Sequence, residues 1–223
     1  MLTLFTSGST DEPKVVNHSW EYIKECAAAS IQEINLTDND RVIDVFPANT
    51  IAHYTITAYP AQQAGAKLLS SNFNPYSYVE NFKKFNPTVI SLIPKHLELL
   101  KNTKGFADLD MSSVRYMVTG SSPITQDFID AFTSKGVQTV ANWYGMTEVP
   151  PPVFVGYNTP EFDLRTVNAD RHHIMFMPMG GYHSNLQQCY INGKATGDLF
   201  ELGPCRFAQR IKQSDGDTWK TTV

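Results

Sequence analysis

The sequence is poor in cysteine and has no excess of positive charge. Its three cysteines are odd in number and widely spaced, which does not suit a framework of disulfides: Cys26, Cys189 and Cys205. Lys and Arg total 18 against 22 Asp and Glu, so the formal net charge is -4. Nucleic acids and anionic membranes attract basic surfaces. The sequence therefore argues against both partners, and the cysteine usage predicts a cytoplasmic location.

Long apolar runs are also missing. No apolar run reaches the ~18 residues that a membrane helix needs, and the first residues do not form a signal peptide pattern. There is neither an internal repeat nor a low-complexity linker. With 223 residues and 42% hydrophobic content, the chain is long enough for one sizeable domain with a substantial core. We therefore expect a globular protein with no membrane span.

Short apolar runs alternate with helix-like segments from the start to about residue 141. The pattern predicts strands at 2–6, 41–46, 67–70, 88–92, 114–119 and 138–141. It predicts helices at 19–34 behind a serine cap, after 52, at 76–85, 94–101 and 124–135. Such an alternation is typical of an α/β fold, here a doubly wound, mostly parallel sheet with flanking helices.

The composition and the apolar pattern of the sequence change after Glu148. Three prolines follow at 150–152, and then come short alternating runs at 163–167, 173–177, 189–191 and 199–202. These runs predict a small β-rich C-terminal subdomain over 149–223, after an α/β core over 1–148. Three methionines alternate within it and are expected to face the core: Met175, Met177 and Met179.

The stretch "LFTSGSTDEPK", residues 4–14, has the composition of a loop that holds phosphate oxygens. Gly8 lets the chain curl, so that backbone N–H groups and hydroxyls can converge on an anion. The candidate contacts are Thr6, Ser7, Gly8, Ser9 and Thr10, and Lys14 adds a positive charge. The stretch is not a Walker A loop, which needs Gly-Lys-Ser/Thr together. An ordinary surface turn has a similar composition, so both interpretations remain open here.

Two further stretches suit the binding of a phosphate-containing ligand: "NWYGMTE", residues 142–148, and "ATGDLFEL", residues 195–202. Ligands of doubly wound sheets bind at the carboxyl ends of the strands, so loops after strands 2–6 and 138–141 can face one pocket. Tyr144 can cover a planar base, and Gly145 lets the backbone come close to it. Thr147 offers a hydroxyl and Glu148 offers an oxygen to Mg²⁺. Asp198 can accept hydrogen bonds from two ribose hydroxyls.

In this order, the three stretches resemble the adenylate-forming superfamily of acyl- and aryl-CoA ligases, luciferases and adenylation domains. The phosphate loop of that family is matched by residues 6–10 with Pro13 and Lys14, although Asp11 and Val15 stand at two glycine positions. Its Tyr-Gly-x-Thr-Glu stretch is matched in full by residues 144–148. Its Thr/Ser-Gly-Asp is matched by residues 196–198.

Weaker similarity connects these motifs. "VFPANTIAHYTITAYPAQQAGAKLL" resembles the segment near the acyl pocket of the family, which would place His53 there; His53 as a core or surface histidine remains an alternative. "SSVRYMVTGSSPIT" resembles the turn that meets adenine and substrate, which would place Gly120, Ser121 and Ser122 there. "CRFAQRIK" faintly resembles the segment that carries a ribose contact and a hinge, which would be Arg206 and Ala208.

The resemblance implies a reaction in which a carboxylate and MgATP give an acyl-AMP, after which a thiol such as coenzyme A can take the acyl group. It implies catalytic roles for Lys14, Thr147 and Glu148, with Glu148 at the magnesium, and substrate contacts for His53 and Gly120. The implied nucleotide contacts are Thr6, Ser7, Gly8, Ser9, Thr10, Gly120, Ser121, Ser122, Asn142, Trp143, Tyr144, Gly145, Met146, Thr147, Asp198 and Arg206.

Members of the superfamily usually also have a leading subdomain and a C-terminal domain that supplies a lysine, and neither is recognisable in this sequence. We therefore expect adenylation that is slow or depends on a partner, either a second copy of the chain or a complementing protein. The alternative is a non-catalytic protein that binds a nucleotide or an acyl-adenylate.

Overall fold

The structure is a computed structural model that describes residues 1–6, 14–164, 171–178, 185–213 and 219–222. The described residues form a two-stranded hairpin, a six-stranded sheet flanked by helices and a five-stranded antiparallel sheet. The hairpin consists of β1 (Leu2–Thr6) and β2 (Lys14–His18), which pair antiparallel.

The six-stranded sheet is mostly parallel. Its strands are β3 (Arg41–Asp44), β4 (Lys67–Ser70), β5 (Val89–Ser91), β6 (Tyr116–Gly120), β7 (Val140–Tyr144) and β8 (Phe154–Tyr157), in the order β4-β3-β5-β6-β7-β8. Only β8 runs antiparallel, beside β7. The helices are α1 (Trp20–Ile34), α2 (Ile51–Thr55), α3 (Ala58–Gln63), α4 (Pro75–Phe85), α5 (Pro94–Lys101) and α6 (Gln126–Thr133).

Both faces of this sheet are buried, which explains its continuous apolar strands. Successive residues of β3 and of β5 pack on opposite faces of the sheet. Ile43 and Ile90 belong to one apolar cluster, and Val42 and Val89 belong to the other. The predicted doubly wound α/β architecture is therefore confirmed. The serine cap is confirmed as well, since the Ser19 side chain accepts a hydrogen bond from a backbone N–H in the first turn of α1.

The C-terminal sheet is antiparallel and β-rich, as predicted. It contains β9 (Ile174–Pro178), β10 (Gln187–Ile191), β11 (Lys194–Leu202), β12 (Cys205–Gln213) and β13 (Trp219–Thr222), in the order β13-β12-β11-β10-β9. Its inner face packs Cys189, Ile191 and Phe200 against Tyr144 and Phe154 of the larger sheet. A domain boundary at residue 148 stays a prediction, and β8, which pairs with β7, lies beyond it.

The prediction that strand 2–6 belongs to the parallel sheet is wrong. The strand exists, but β2 is its only partner in the described part of the chain. Leu2 and Leu4 pack against Ile23, whereas Phe5 is 68% exposed and pairs with Val15, which is 56% exposed. This alternation suits a hairpin covered on one face, and local sequence does not distinguish it from a strand of a larger sheet.

The orientation predicted for the methionines of β9 is also wrong. Met175 is 41% exposed and Met177 is 49% exposed, while the half-buried Ile174 and Phe176 pack on the aromatic cluster. Both faces of β9 carry apolar side chains, so period-two alternation does not decide which face is buried. Met179 lies outside the described residues.

The longest helix in the described part of the chain is α1, with 15 residues. No described helix combines the length and the apolar character needed to cross a bilayer.

A buried ion pair joins α1 to the parallel sheet. The Arg115 guanidinium binds both carboxylate oxygens of Asp40, at 2.9 and 2.7 Å, and donates to the backbone carbonyls of Ile34 and Asn35 at the end of α1. Burial opposes the charged form of Asp40, but hydrogen bonds from Arg115, Thr88 and the backbone outweigh it and lower the pKa of Asp40 to about 2.

We expect Asp40→Asn to lower the free energy of unfolding by about 1–2 kcal/mol near neutral pH. The pKa of Asp40 in the folded protein lies below the ordinary value of 3.8. The pH-linked contribution of Asp40 is therefore complete above the unfolded pKa, and it is lost as the pH falls toward the folded pKa. Urea unfolding at about pH 6 and about pH 3 should show that the difference in unfolding free energy between wild type and variant is smaller at the lower pH. Asp38→Asn, a change at an exposed site nearby, is the control, and a gap that does not depend on pH would contradict the assignment.

Candidate functional site

A cavity of about 270 Å³ opens where β6 and β7 end, beside β11 and β12. It brings together segments that lie far apart in the sequence. The predicted site residues in its wall are Gly120, Ser121, Ser122, Asn142, Trp143, Tyr144, Gly145, Asp198 and Arg206. The wall also contains Pro123, Ile124, Pro160, Phe162, Phe207 and Arg210, which the sequence did not single out.

The turn after β6 forms one wall of the cavity. Gly120 allows β6 and β7 to approach, because a Cβ there would lie 2.5 Å from the backbone oxygen of Trp143. Ser121 follows with a φ of 69°, a left-handed conformation that is uncommon for a residue other than glycine. Ser121 and Ser122 are both exposed. Strained backbone of this kind is often found where a turn meets a ligand.

Tyr144 lies at the end of β7 and is 6% exposed. Its ring stacks on Phe154 with centroids 4.5 Å apart and planes 9° apart, so one face of the ring is already covered. Its hydroxyl donates a hydrogen bond of 2.6 Å to Asp198 Oδ2. Burial, together with the negative charge of Asp198, raises the pKa of Tyr144 well above its usual range. The phenol therefore remains a neutral donor.

Asp198 lies within β11, not in a loop, and its exposure is 0%. Arg210 of β12 holds both of its oxygens, with 2.5 Å from Nε to Oδ1 and 2.8 Å from Nη2 to Oδ2. The hydrogen bond to Asp198 raises the pKa of Arg210, and the charge of Glu148 adds to the shift. A carboxylate this deeply buried requires such a partner.

The turn after β7 carries Thr147 and Glu148. Backbone hydrogen bonds between Met146 and Val149 close it, with 2.9 and 3.2 Å between nitrogen and oxygen. Thr147 is half-buried and Glu148 is exposed, and Met146, Thr147 and Glu148 do not line the cavity itself. His18 of β2 donates through Nε2 to the backbone oxygen of Thr147 at 2.6 Å, which fixes the hairpin beside this turn.

Gly145 has a different neighbour from the one that the sequence suggested. A Cβ at Gly145 would lie 2.6 Å from the backbone nitrogen of Pro151. Gly145 therefore allows Pro151 of the same chain to approach closely.

Part of the predicted phosphate loop lies outside the described residues, namely Ser7, Gly8, Ser9 and Thr10. Thr6 and Lys14 are described by their backbone, and they pair with each other as the last residue of β1 and the first of β2. The stretch between them therefore starts and ends at adjacent strand positions.

His53 does not line the cavity. It lies on α2, and its Nδ1 is 2.8 Å from Asp44 Oδ2 at the end of β3. The same carboxylate accepts hydrogen bonds from Thr57 and Ser70. Burial opposes ionisation of Asp44, but these hydrogen bonds outweigh it and lower the pKa of Asp44. Asp44 was not among the predicted site residues, although an acid at the end of an apolar strand was a usable signal.

Arg206 and Arg210 both reach the cavity from β12. Arg206 is paired with Glu161 at 2.5 Å. In the register with β11, Leu199 faces Gln209 and Phe200 faces Phe207, so Ala208 is an extra residue, a bulge. The bulge lets Phe207 and Arg210 line the same cavity, although strict alternation would put them on opposite faces. Arg210 was therefore not predictable from strand periodicity.

The comparisons with known proteins agree with the fold. Structures of the O-succinylbenzoate coenzyme A synthetase MenE from Bacillus subtilis, in complex with ATP and magnesium ion, and of ATP-bound MatB from Rhodopseudomonas palustris match 93% of this chain. Their TM-scores are 0.72 and 0.74 at 20% and 16% identity, and the matches cover 49% and 47% of those chains.

Two curated relatives are ligases. The long-chain-fatty-acid–CoA ligase FadD13 of Mycobacterium tuberculosis is 24% identical over 148 residues, which cover 66% of this chain and 29% of the relative. The indoleacetate–CoA ligase of Aromatoleum aromaticum is 27% identical over 188 residues, which cover 78% of this chain and 37% of the relative. The chain thus spans only about a third of the length of these relatives.

The family model described as "AMP-binding enzyme" matches residues 1–176. This match contains the loop of residues 6–10, the turn of residues 120–122 and the stretch of residues 142–148. The chain therefore belongs to the AMP-binding enzyme family.

Proposed function

We propose that the chain binds an adenine nucleotide in the cavity between β6, β7 and the C-terminal sheet, and that it activates a carboxylic acid as acyl-AMP. The observation that carries this proposal is the convergence of residues 120–122, 142–145, 198 and 206 on one cavity. These segments are the ones in which the sequence resembles the nucleotide contacts of the family. Relatives named as CoA ligases support the same type of reaction.

In this proposal the nucleotide lies across the carboxyl ends of β6 and β7. The turn at Ser121 and Ser122 and the ring of Tyr144 contact the adenine, while Asp198 and Arg206 contact the ribose. The loop of residues 6–10 and Lys14 take the β- and γ-phosphates. His18 supports this geometry, because its hydrogen bond to Thr147 keeps the hairpin next to the turn that offers the α-phosphate contact.

The residues present fit a magnesium ion brought by the nucleotide. In the described part of the chain, no group of three His, Cys, Asp or Glu side chains is placed to hold a metal ion. Mg²⁺ commonly binds through one or two carboxylates together with substrate phosphates and water, and the exposed Glu148 can supply one. When bound there, the ion would neutralise phosphate charge. Residues of this chain would orient the carboxylate and the α-phosphate for attack.

The reaction is a displacement at phosphorus. A carboxylate oxygen forms a bond to the α-phosphorus, the bond to the β-phosphate oxygen breaks, and pyrophosphate leaves with the electron pair. The names of the relatives cover long-chain fatty, indoleacetic and ferulic acids, so both fatty and aryl acids are candidates. Transfer of the acyl group to coenzyme A, help from a second copy or a complementing protein, and a cytoplasmic location are further parts of this proposal.

A non-catalytic nucleotide-binding protein is the second candidate. Asp11 and Val15 replace two glycines of the phosphate loop pattern. Val15 is a strand residue that pairs with Phe5, so its substitution for glycine suits the hairpin. This candidate shares the cavity with the first proposal and differs from it only in turnover.

We expect Asp198→Asn to weaken the binding of AMP by about 10- to 100-fold, because hydrogen bonds between the ribose and an ionised acceptor are lost. Isothermal titration calorimetry measures the affinity. Asp127→Asn removes an exposed carboxylate on α6 and serves as the control. Equal affinities of the wild type and Asp198→Asn would place the nucleotide elsewhere.

We expect pyrophosphate release from MgATP to depend on an added carboxylic acid, and Glu148→Gln to reduce it by at least about 10-fold through loss of the magnesium contact. A panel of fatty and aryl acids should be tested with a coupled pyrophosphate assay. Glu98→Gln, at an exposed position on α5, is the matched control. Binding of AMP without pyrophosphate release from any acid would favour the non-catalytic candidate.

A further inference from the structure

The carboxylate of Asp198 is completely covered. Its exposure is 0%, and it already accepts three hydrogen bonds, one from Tyr144 and two from Arg210. An ionised carboxylate has about four acceptor positions. A ligand that brings two hydroxyls therefore cannot reach Asp198 unless a neighbouring side chain moves.

The two partners of Asp198 differ in their freedom to move. Tyr144 is 6% exposed, stacks on Phe154 and meets Phe200 edge to face. The side chain of Arg210 is 53% exposed. Arginine also has a long, flexible stem, so its guanidinium can move toward solvent. Arg210 is therefore the partner that can move away from Asp198.

We propose that Arg210 is a gate over Asp198, and that a ligand with a vicinal diol opens it by displacing the guanidinium. This inference rests on the proposed function, because the diol is that of the ribose in an adenine nucleotide. The two hydroxyls replace the two hydrogen bonds from Arg210, so the carboxylate remains satisfied in both states. The guanidinium then turns toward solvent, where the negative charge of the exposed Glu148 still acts on it.

The gate has an energetic consequence for binding. Breaking the ion pair between Arg210 and Asp198 costs free energy. This cost offsets part of the favourable contact between the diol and Asp198, so the apparent affinity for the ligand is lower. Because the Arg210 side chain is 53% exposed, water competes for its guanidinium, so the effect is expected to be small but measurable. Removing the guanidinium should therefore strengthen the binding of a diol ligand, although it also removes a positive charge that would attract a phosphate.

Calorimetric titration of the whole chain with AMP and with 2′,3′-dideoxy-AMP tests the gate. Arg210→Met keeps a similar stem length and removes the donors, and we expect it to bind AMP about 3- to 10-fold more tightly than wild type. Its affinity for 2′,3′-dideoxy-AMP should not rise, because that ligand has no diol to place on Asp198. Arg206→Met removes the same charge from the same cavity together with a proposed ribose contact, and it leaves Asp198 covered, so it should weaken AMP binding.

The outcomes separate this inference from the proposed function. If wild type binds AMP and Arg210→Met binds it equally or more weakly, the gate is overturned and the proposed function stands. The gate would also be overturned if Arg210→Met gained as much affinity for 2′,3′-dideoxy-AMP as for AMP, or if Arg206→Met bound AMP more tightly than wild type. If wild type does not bind AMP, both proposals fail. Should Arg210→Met lower the melting temperature, Arg210→Lys keeps the charge but loses the two-pronged pairing, and it is expected to tighten AMP binding as well.

Discussion

The buried carboxylate of Asp198 joins the two sheets of this protein. Tyr144 reaches it from the end of β7, and Arg210 reaches it from β12. A buried charge is costly unless hydrogen bonds satisfy it, and at Asp198 they come from the buried Tyr144 and the partly exposed Arg210. The position of the C-terminal sheet against the parallel sheet, and hence the shape of the cavity between them, therefore depends on this three-residue contact.

The aromatic cluster around Asp198 makes the contact possible. Tyr144, Phe154 and Phe200 pack with centroids 4.5 to 5.6 Å apart and exclude water from one side of the carboxylate. In these surroundings, a hydrogen bond is stronger than in water, and an unpaired acceptor would be more costly. The other side faces the cavity, where Arg210 is the only described partner with substantial exposure. The same arrangement thus stabilises the fold and, in the gate that we propose, would regulate access to Asp198.

Much of the fold was predictable because it depends on local signals. Ser19 marks the start of α1, and alternating apolar and helical segments indicate a parallel sheet buried on both faces. Gly120, Ser121 and Ser122 were singled out through the resemblance to the adenylate-forming superfamily, and Tyr144 through its aromatic ring at a predicted strand end. Their meeting in one cavity follows from the parallel order of β6 and β7.

Other features depend on contacts that the sequence does not encode locally. The partner of strand 2–6 is set by the fold, because its alternation fits a hairpin as well as a sheet edge. Gly145 accommodates Pro151, which lies after the turn. The place of Arg210 depends on the bulge at Ala208, and a one-residue change in register reverses the face of every later side chain. Such features appear only when separate segments are packed together.

The most direct measurement of the central claim is the location of a bound nucleotide by NMR, with AMP titrated into the isotopically labelled chain. The account predicts that the largest amide shift changes occur at Gly120, Ser121, Ser122 and Asp198, around the cavity. Shift changes that spare these residues and cluster elsewhere in the parallel sheet would contradict it.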